Sequence, residues 1–448
     1  MIAPEELLGI CREGVTLATR LGADQVEIFA SSVRASEVEL QKDDVHTAST
    51  EDETTFGVRV FKKRSLGFAT VNGREHLAAA CADALAMAAA TPSDPHNALT
   101  DPRPVPPFER APDAAIAVLD IECLVELAAG MLRGVQERDR RVRIDNGGVS
   151  AYGASRAIAS STGIALWDAS AGASASLFGM AVDGDDVGSF DYDSAAVLRA
   201  DELGLAIESL TGRFVEKCAG ALGAQKGESF RGPVILTPEV VRSFLLGDLL
   251  PVLSAKAVRT GRSPLADKLG QSIAASGLTL IDDGRLAEGT GSAAFDREGM
   301  PTRRHTLLDA GVLRGFMYDV YEAAAAQTEP TGHARGGPSS LPGIGPCNLL
   351  LEPGPTPYAT LCSEPERAVL VSRFSGSSSP VTGEFSGVVK GGFLLRRGER
   401  VPVRETLIAG NLYDVLRSVS GISKELHSLQ GSAFLPFVRL EDVSITAG

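Results

Sequence analysis

The sequence predicts an α+β protein, with mixed or antiparallel sheets and flanking helices in its N-terminal half and a β-rich C-terminal domain. Three observations favour this class: an amphipathic helical pattern opens the chain, alternating apolar segments follow it, and strand-like segments dominate beyond residue 261. Because 448 residues exceed what one ordinary core can organise, we expect about two or three domains.

The first segment, residues 1–91, is predicted to be an α+β domain. Apolar residues recur at three- and four-residue steps from Leu7 to Ala18, behind Pro4, and predict a helix that ends at Gly22. Period-two alternation predicts strands, and an Ala-rich stretch predicts a second helix. These elements are the strands Gln25–Ser31 and Ser36–Gln41, a hairpin of Thr54–Phe61 and Ser65–Thr70 turning at Lys62–Arg64, and the helix Glu75–Ala90.

The next two segments are separated by composition. Residues 92–113 hold seven prolines, which exclude helix and central strand and predict a linker that runs over the surface. Residues 114–225 are predicted to form a helix–meander–helix domain. Its elements are the helix Ile121–Glu137, the strands Val142–Ile144, Ser155–Ser160, Gly163–Ala169 and Ala171–Val182, and the helix Asp201–Ala221.

Residues 226–448 are predicted to form the β-rich C-terminal domain. A short strand, Pro233–Leu236, leads into a helix with Thr237 as N-cap and Pro238 at its first position. Strand and helix candidates then follow one another to the end. They are the strands Leu278–Ile281, His305–Asp309, Val312–Met317, Asn348–Glu352, Val369–Phe374, Phe385–Lys390, Gly392–Arg397 and Phe437–Val443, and the helices Asp319–Thr328 and Leu412–Val419.

Composition argues against several partners. A formal net charge of −14 repels phosphate backbones, so we expect no nucleic-acid partner. No apolar run reaches the ~18 residues that a membrane span needs, so we expect no membrane association, and the first residues predict no secretion signal. Six scattered cysteines without a C-x-x-C pair suggest reduced thiols, and a cytoplasmic location is the natural expectation.

Motif searches find no complete catalytic constellation. The six histidines contain no H-E-x-x-H, although a site assembled from His305, His333 and a carboxylate stays open. The dipeptide Gly-Lys never occurs, which excludes a P-loop lysine, and Gly289–Ala294 fits the dinucleotide fingerprint without the βαβ context it needs. Ser375–Ser379 has hydroxyls but no nearby base, so we predict a flexible loop there rather than a serine nucleophile.

Several ordered runs in the C-terminal segment form a recognisable set: Ser263–Gly270, Thr279–Gly284, Phe295–Thr302, Leu307–Leu313, Val381–Ser386 and Thr406–Leu412. Taken together in this order, they resemble the TldD/PmbA family, and within it the TldE (PmbA) branch. The hairpin residues Phe56–Val60 and Leu66–Ala69 are also similar to the first domain of that family, so the resemblance covers nearly the whole chain.

The resemblance implies a two-subunit zinc metalloprotease in which TldD-type chains carry an H-E-x-x-x-H helix and a later cysteine ligand. In the equivalent helix of this chain, Ser243, Phe244 and Asp248 stand where His, Glu and His would stand. No cysteine occurs in Ser375–Thr382, so the third ligand is missing as well. A hydroxyl and one carboxylate do not replace two imidazoles on zinc, and Phe244 is no general base. We therefore expect no metal and no catalytic residue in this chain.

The resemblance thus implies a non-catalytic subunit, inactive alone, in a heterodimer whose TldD-type partner holds zinc and which degrades or processes unfolded or short peptides. Candidate peptide-contact residues, chosen from the most family-like segment, are Asp282, Asp296, Glu298 and His333. The alternative is a stand-alone homodimer that binds peptides or another ligand without hydrolysis, since a homodimer in isolation stays open. A further alternative is a metal-independent hydrolase that uses the serines of Ser375–Ser379.

Overall fold

A computed structural model describes residues 1–108 and 111–448 of the chain. Its mixture of helices with antiparallel and mixed sheets confirms the predicted α+β class. The predicted linker, residues 92–113, contains residues 109 and 110, which lie outside the described residues. The rest of it carries no helix or strand. None of the described helices is long and apolar enough to cross a membrane.

The long helices α1, α2, α4 and α5 lie in the N-terminal half, and the helices of the C-terminal half are short. A π-helical turn, Val241–Leu245, lies between the sixth and seventh. In chain order they are α1 Pro4–Arg20, α2 Leu77–Ala90, α3 Ala114–Ala117, α4 Ile121–Arg138, α5 Leu203–Gly220, α6 Pro238–Val240, α7 Leu246–Val252, α8 Ala255–Arg259, α9 Val320–Ala325, α10 Tyr358–Ser363 and α11 Leu412–Arg417.

The strands form two large sheets and one small ribbon. The first sheet holds β1 Gln25–Gln41, β2 Asp44–Lys62, β3 Ser65–Asn72, β4 Val142–Ser160, β5 Ala165–Asp183, β6 Asp186–Val187 and β7 Asp191–Val197. The remaining strands are β8 Gln225–Lys226, β9 Phe230–Leu236, β10 Leu280–Asp283, β11 Arg304–Asp309, β12 Val312–Leu313, β13 Ala334–Arg335, β14 Gly343–Ile344, β15 Leu349–Leu351, β16 Ala368–Val371, β17 Arg373–Ser378, β18 Glu384–Lys390, β19 Gly392–Arg396, β20 Glu399–Arg404, β21 Thr406–Asn411, β22 Val419–Leu429 and β23 Ala433–Ala447.

The first sheet is antiparallel and is built around β1, which pairs with β2 on one side and with β4 on the other. This pairing places strands of the first and middle predicted segments in one sheet, and the division of the chain into domains stays a prediction. Helices α1 and α2 cover one half of one face, where Leu7 and Ile28 pack, while α4 and α5 cover the other half, where Leu124 and Phe214 pack. Glu27 lies on the opposite face, because it alternates with Val26 and Ile28.

Three strands of this sheet are longer than the sequence predicts. Strand β1 is one uninterrupted element rather than two, and β4 and β5 run through the Ser-, Gly- and Ala-rich stretches that separated the predicted pieces. Residues of this kind have weak intrinsic strand preference, but β1 and β4 pair on both sides along most of their length, and β5 pairs with β4 from Ala165 to Ala181 and with β7 from Ala173 to Gly179. Tertiary pairing therefore overrides local propensity.

The second sheet is mixed and centres on β9, which lies between β16 and β23. Its core gathers Val234, Leu236, Phe244 and Leu249 with apolar residues of the later strands. Three predictions were wrong here: the strand at Val312–Met317 ends at Leu313, Ser375–Ser379 is not a loop because β17 pairs with β18, and β20 to β22 were not predicted as strands.

The C-terminal half packs closely against the first sheet at Gly57 of β2. A Cβ on this residue would lie 2.3 Å from the carbonyl oxygen of Pro338, so only glycine lets the two backbones approach this closely. Beside it, Phe29, Ile158 and Phe295 form an apolar cluster that draws on both halves.

Candidate functional site

The helical stretch from Pro238 to Val252 contains Ser243, Phe244 and Asp248, the three positions that the resemblance aligns with a metal motif. It begins after β9, with Thr237 in extended conformation at its N-cap and Pro238 at its first position, as predicted. Its middle is a π-helical turn, a distortion that is frequent at functional sites. Along the whole helical stretch, Ser243 is exposed, Phe244 is buried and Asp248 is half-buried.

An aromatic cluster fills the space beneath this helix. The Phe244 ring lies 4.8 Å from the ring of Phe374 and 4.8 Å from that of Phe385, measured between centroids. These two rings come from β17 and β18. The arrangement is typical of aromatic packing in a core, and it leaves carbon, not nitrogen or sulfur, facing the helix.

Asp248 is engaged by the same strand pair. Its Oδ1 accepts a hydrogen bond of 2.8 Å from the hydroxyl of Ser378, at the end of β17. The two stretches in which the resemblance places missing ligands, Pro238–Asp248 and Ser375–Thr382, are therefore neighbours in space. Among residues 1–108 and 111–448, no group of three His, Cys, Asp or Glu side chains could hold a metal ion.

The four candidate peptide-contact residues are buried, each with at most 3% of its surface exposed. Asp296 accepts hydrogen bonds from the backbone N–H groups of Glu298, Met300 and Ala334. Burial and the nearby charge of Glu298 raise the pKa of Asp296 to about 7. Asp282 accepts from the backbone N–H of Cys347. In the structure these groups hold the chain itself in place, and peptide contact by them stays a prediction.

His305, His333 and Asp282, which are distant in sequence, come together in the structure. The two imidazole rings lie 5.0 Å apart edge to face, and Nε2 of His333 lies 3.0 Å from Oδ2 of Asp282 without hydrogen-bond geometry. Burial and the neighbouring His333 lower the pKa of His305 to about 4, so its ring is neutral near pH 7. This is the set that the sequence left open as an assembled site, and its side chains do not adopt a metal-binding arrangement.

A buried ionic network at the junction of the two halves was missed by sequence reasoning. Glu27 of β1 accepts from Arg59 of β2 at 2.6 Å and from Arg297 at 2.7 Å, and Arg59 also donates to Glu298 at 2.7 Å. The only hint in the sequence was a glutamate within an apolar alternation, which does not reveal its partners. Because a buried charge is tolerated only when paired, the network fixes how the halves meet.

A cleft of about 600 Å³ lies between the two halves beside the start of α6. The edge strand β7 contributes residues 193–196, and the edge strand β22 contributes residues 426–429. Lys217 bridges Asp193 and Glu239 across it, at 3.0 and 2.8 Å. The stacked rings of Tyr358 and Phe437, with centroids 3.9 Å apart, form part of its wall. The cleft combines unpaired strand edges with apolar and charged walls, as a groove for an extended ligand does.

The chain is similar to known proteins over most of its length. Residues 229–447 match the PmbA/TldA metallopeptidase C-terminal domain, and residues 26–88 match the PmbA/TldA metallopeptidase domain 1, so the two matches cover more than half of the chain. Metalloprotease PmbA of Escherichia coli O157:H7 is 25% identical over 448 residues, with 96% of each chain covered. A metalloprotease of Methanothermobacter thermautotrophicus is 29% identical over 221 residues, and the chain spans about half the length of this relative.

Solved structures agree along the whole chain. TldE from Thermococcus kodakarensis superimposes with a TM-score of 0.89 at 26% sequence identity, covering 100% of both chains. A protein of Bacteroides thetaiotaomicron described as a putative modulator of DNA gyrase has the same fold, with a TM-score of 0.89 at 23% identity. From its two domain matches and these end-to-end similarities, the chain belongs to the PmbA/TldD family of metallopeptidases.

Proposed function

We propose that this chain is the metal-free, non-catalytic subunit of a heteromeric metalloprotease that degrades or processes unfolded or short peptides. The observation that carries the proposal is the packing of Phe244 against Phe374 and Phe385, which fills the place where a catalytic relative would hold zinc. Zinc prefers nitrogen and sulfur ligands, and three phenyl rings supply neither. A TldD-type partner would then bring the zinc, the activated water and the general base.

The cleft between β7 and β22 is the proposed peptide groove of this subunit. Extended peptides commonly bind by adding a strand to an exposed sheet edge, where main-chain hydrogen bonds give affinity with little dependence on sequence. Both edge strands carry main-chain N–H and C=O groups that could form such bonds, and Leu426 adds an apolar side chain that is 41% exposed. Lys217, Asp193 and Glu239 would give the groove charge of both signs.

The main experiment measures zinc content and peptide hydrolysis, first for this chain alone and then with a TldD-type partner. The proposal predicts substoichiometric zinc and no hydrolysis for the chain alone. With the partner it predicts a heterodimer by light scattering and hydrolysis that a chelator abolishes. The matched control is a partner whose H-E-x-x-x-H motif has lost both histidines, which should pair without cutting. Stoichiometric zinc on the isolated chain would refute the proposal, and a homodimer that ignores the partner would favour the alternative.

A second experiment tests the groove. The variant Leu426→Asp places a charge inside the cleft, and we expect it to weaken binding of a fluorescent peptide to the complex about tenfold. Leu269→Asp is the control, because Leu269 is similarly exposed and lies outside the cleft. Equal affinities for the two variants would place the peptide elsewhere.

A further inference from the structure

A second cavity, of about 500 Å³, lies on the other side of the junction between the two halves. Phe61 and Leu66 of the first sheet line it together with residues 341–344 of the C-terminal half. Its volume falls within the range of about 300–1,000 Å³ that is usual for small-molecule sites. It is separate from the proposed peptide groove and shares no lining residue with it.

Two ion pairs in this cavity are already complete. Arg59 donates to Glu298 at 2.7 Å, and Arg259 donates to Glu322 at 2.7 and 2.9 Å. Asp319 differs from these carboxylates. One of its oxygens accepts the backbone N–H of Glu322, and no cation in the described part of the chain lies within ion-pair distance of it. Burial and the charge of Glu298 raise the pKa of Asp319 to about 6 despite the opposing effect of Arg59, so near pH 7 the cavity holds a carboxylate without an ion-pair partner in the described residues.

Two donors of the same cavity also lack acceptors. Nε of Arg59 is fully buried and has no hydrogen-bond partner within the described residues, although the other two nitrogens of this side chain are paired. Lys256 stands at the rim with its ammonium exposed, outside every ion pair found in residues 1–108 and 111–448. Only Nε of Arg59 is a buried donor without an acceptor, which is unfavourable, whereas the exposed Lys256 ammonium can meet a ligand that enters from solvent.

We propose that this cavity binds a zwitterionic ligand, a free α-amino acid with an aliphatic side chain. The ammonium of the ligand pairs with Asp319, and its carboxylate accepts from Lys256 at the rim. The side chain of the ligand packs against Phe61 and Leu66. Capping of α9 uses only one oxygen of Asp319, so the second oxygen is left for the ammonium of the ligand.

Three probes that share one carbon skeleton separate these contacts: L-leucine, isoamylamine, which lacks the carboxylate, and 4-methylvalerate, which lacks the ammonium. By calorimetry or ligand-observed NMR on the full chain at pH 7, we expect saturable binding of L-leucine with a Kd of about 1 mM or tighter. Each one-charge analogue should bind about tenfold more weakly or not at all. Absence of saturable L-leucine binding at about 10 mM, or equal binding of the three probes, would overturn the proposal.

Asp319→Asn is the informative variant, because the amide keeps the oxygen that caps α9 and removes only the charge. We expect it to weaken L-leucine binding about tenfold, and Lys256→Gln to weaken it by a smaller factor. Asp414→Asn, at an exposed position of α11, is the control and should bind as the unmodified chain does. Unchanged affinity in Asp319→Asn with a native thermal transition would overturn the assignment. A disrupted fold would show instead as a lowered transition temperature, and the ligand-analogue series then decides.

Discussion

Glu27 is the residue whose replacement tests the junction between the two halves most directly. It is 1% exposed and accepts hydrogen bonds from both Arg59 and Arg297. Although burial disfavours its charge, these two guanidinium groups hold the pKa of Glu27 below its ordinary value. In Glu27→Gln the shape is kept, but one guanidinium meets an NH₂ group, and two buried cations are left with Glu298 alone. Breaking a buried pair in this way costs about 3–5 kcal/mol.

The measurement is urea unfolding followed by the fluorescence of Trp167, the single tryptophan, which lies in β5 of the first sheet. Glu13→Gln is the matched control, because Glu13 forms an exposed pair with Arg74 at 2.7 Å that is worth less than about 1 kcal/mol. Adding Arg297→Met to Glu27→Gln removes the excess cation, so the double variant should lose less than the sum of the single losses. A Glu27→Gln midpoint equal to that of the control would refute the reasoning.

Three further predictions concern packing and pH. Phe244→Ala should lower the free energy of unfolding by about 3–5 kcal/mol, whereas its exposed neighbour Ser243→Ala should change it by less than about 0.5 kcal/mol; equal losses in denaturant titrations would contradict the aromatic cluster. Gly67→Ala puts a Cβ 1.8 Å from a carbonyl oxygen of α2 and should destabilise the fold by about 1–3 kcal/mol. Gly9→Ala is the control, because its Cβ would have no atom within 4 Å, and it should stabilise α1 slightly. Equal stabilities of the two variants in calorimetry would be evidence against the close approach of β3 and α2. The pKa of His305 is about 4 in the folded chain and its ordinary value is 6.5, so its contribution to the free energy of unfolding is present above pH 6.5 and is lost as the pH falls towards 4. In His305→Gln the free energy of unfolding should therefore fall less steeply over this pH interval. The same pH dependence of stability in the variant and the unmodified chain would contradict the lowered pKa.

Periodicity predicted those elements whose environment is uniform along their length. Helix α1 has one apolar face packed on one sheet, and the hairpin of β2 and β3 turns at Lys63 and Arg64, which adopt the left-handed conformation that a tight turn needs. Strands β4 and β5 were fragmented because Gly and Ser interrupt their alternation. Their continuity comes from pairing with strands far away in the sequence, which no local window contains.

The candidate site was predicted in part, for a similar reason. The resemblance to the family identified Phe244 and Asp248 as positions of interest, and the structure adds that β17 and β18 lie against them. The same segments suggested Asp282, Asp296, Glu298 and His333 as peptide contacts, yet all four are buried. They were chosen because sequence similarity does not distinguish a residue that holds a turn together from one that contacts a ligand. Burial is a tertiary property and becomes visible only once the chain is folded.

The aromatic cluster also bears on where the missing chemistry would have to be. An ion beneath the helix would be surrounded by the rings of Phe244, Phe374 and Phe385, and burying a charge in such a place without ligands costs several kcal/mol or more. On the solvent side, Ser243, Gly247 and the outer part of β17 are exposed. If a peptide is cut beside this helix, the proposed function requires a metal that approaches from the solvent side, on the surface of the proposed partner. That requirement makes the partner experiment, rather than any substitution within this chain, the decisive test of the proposed function.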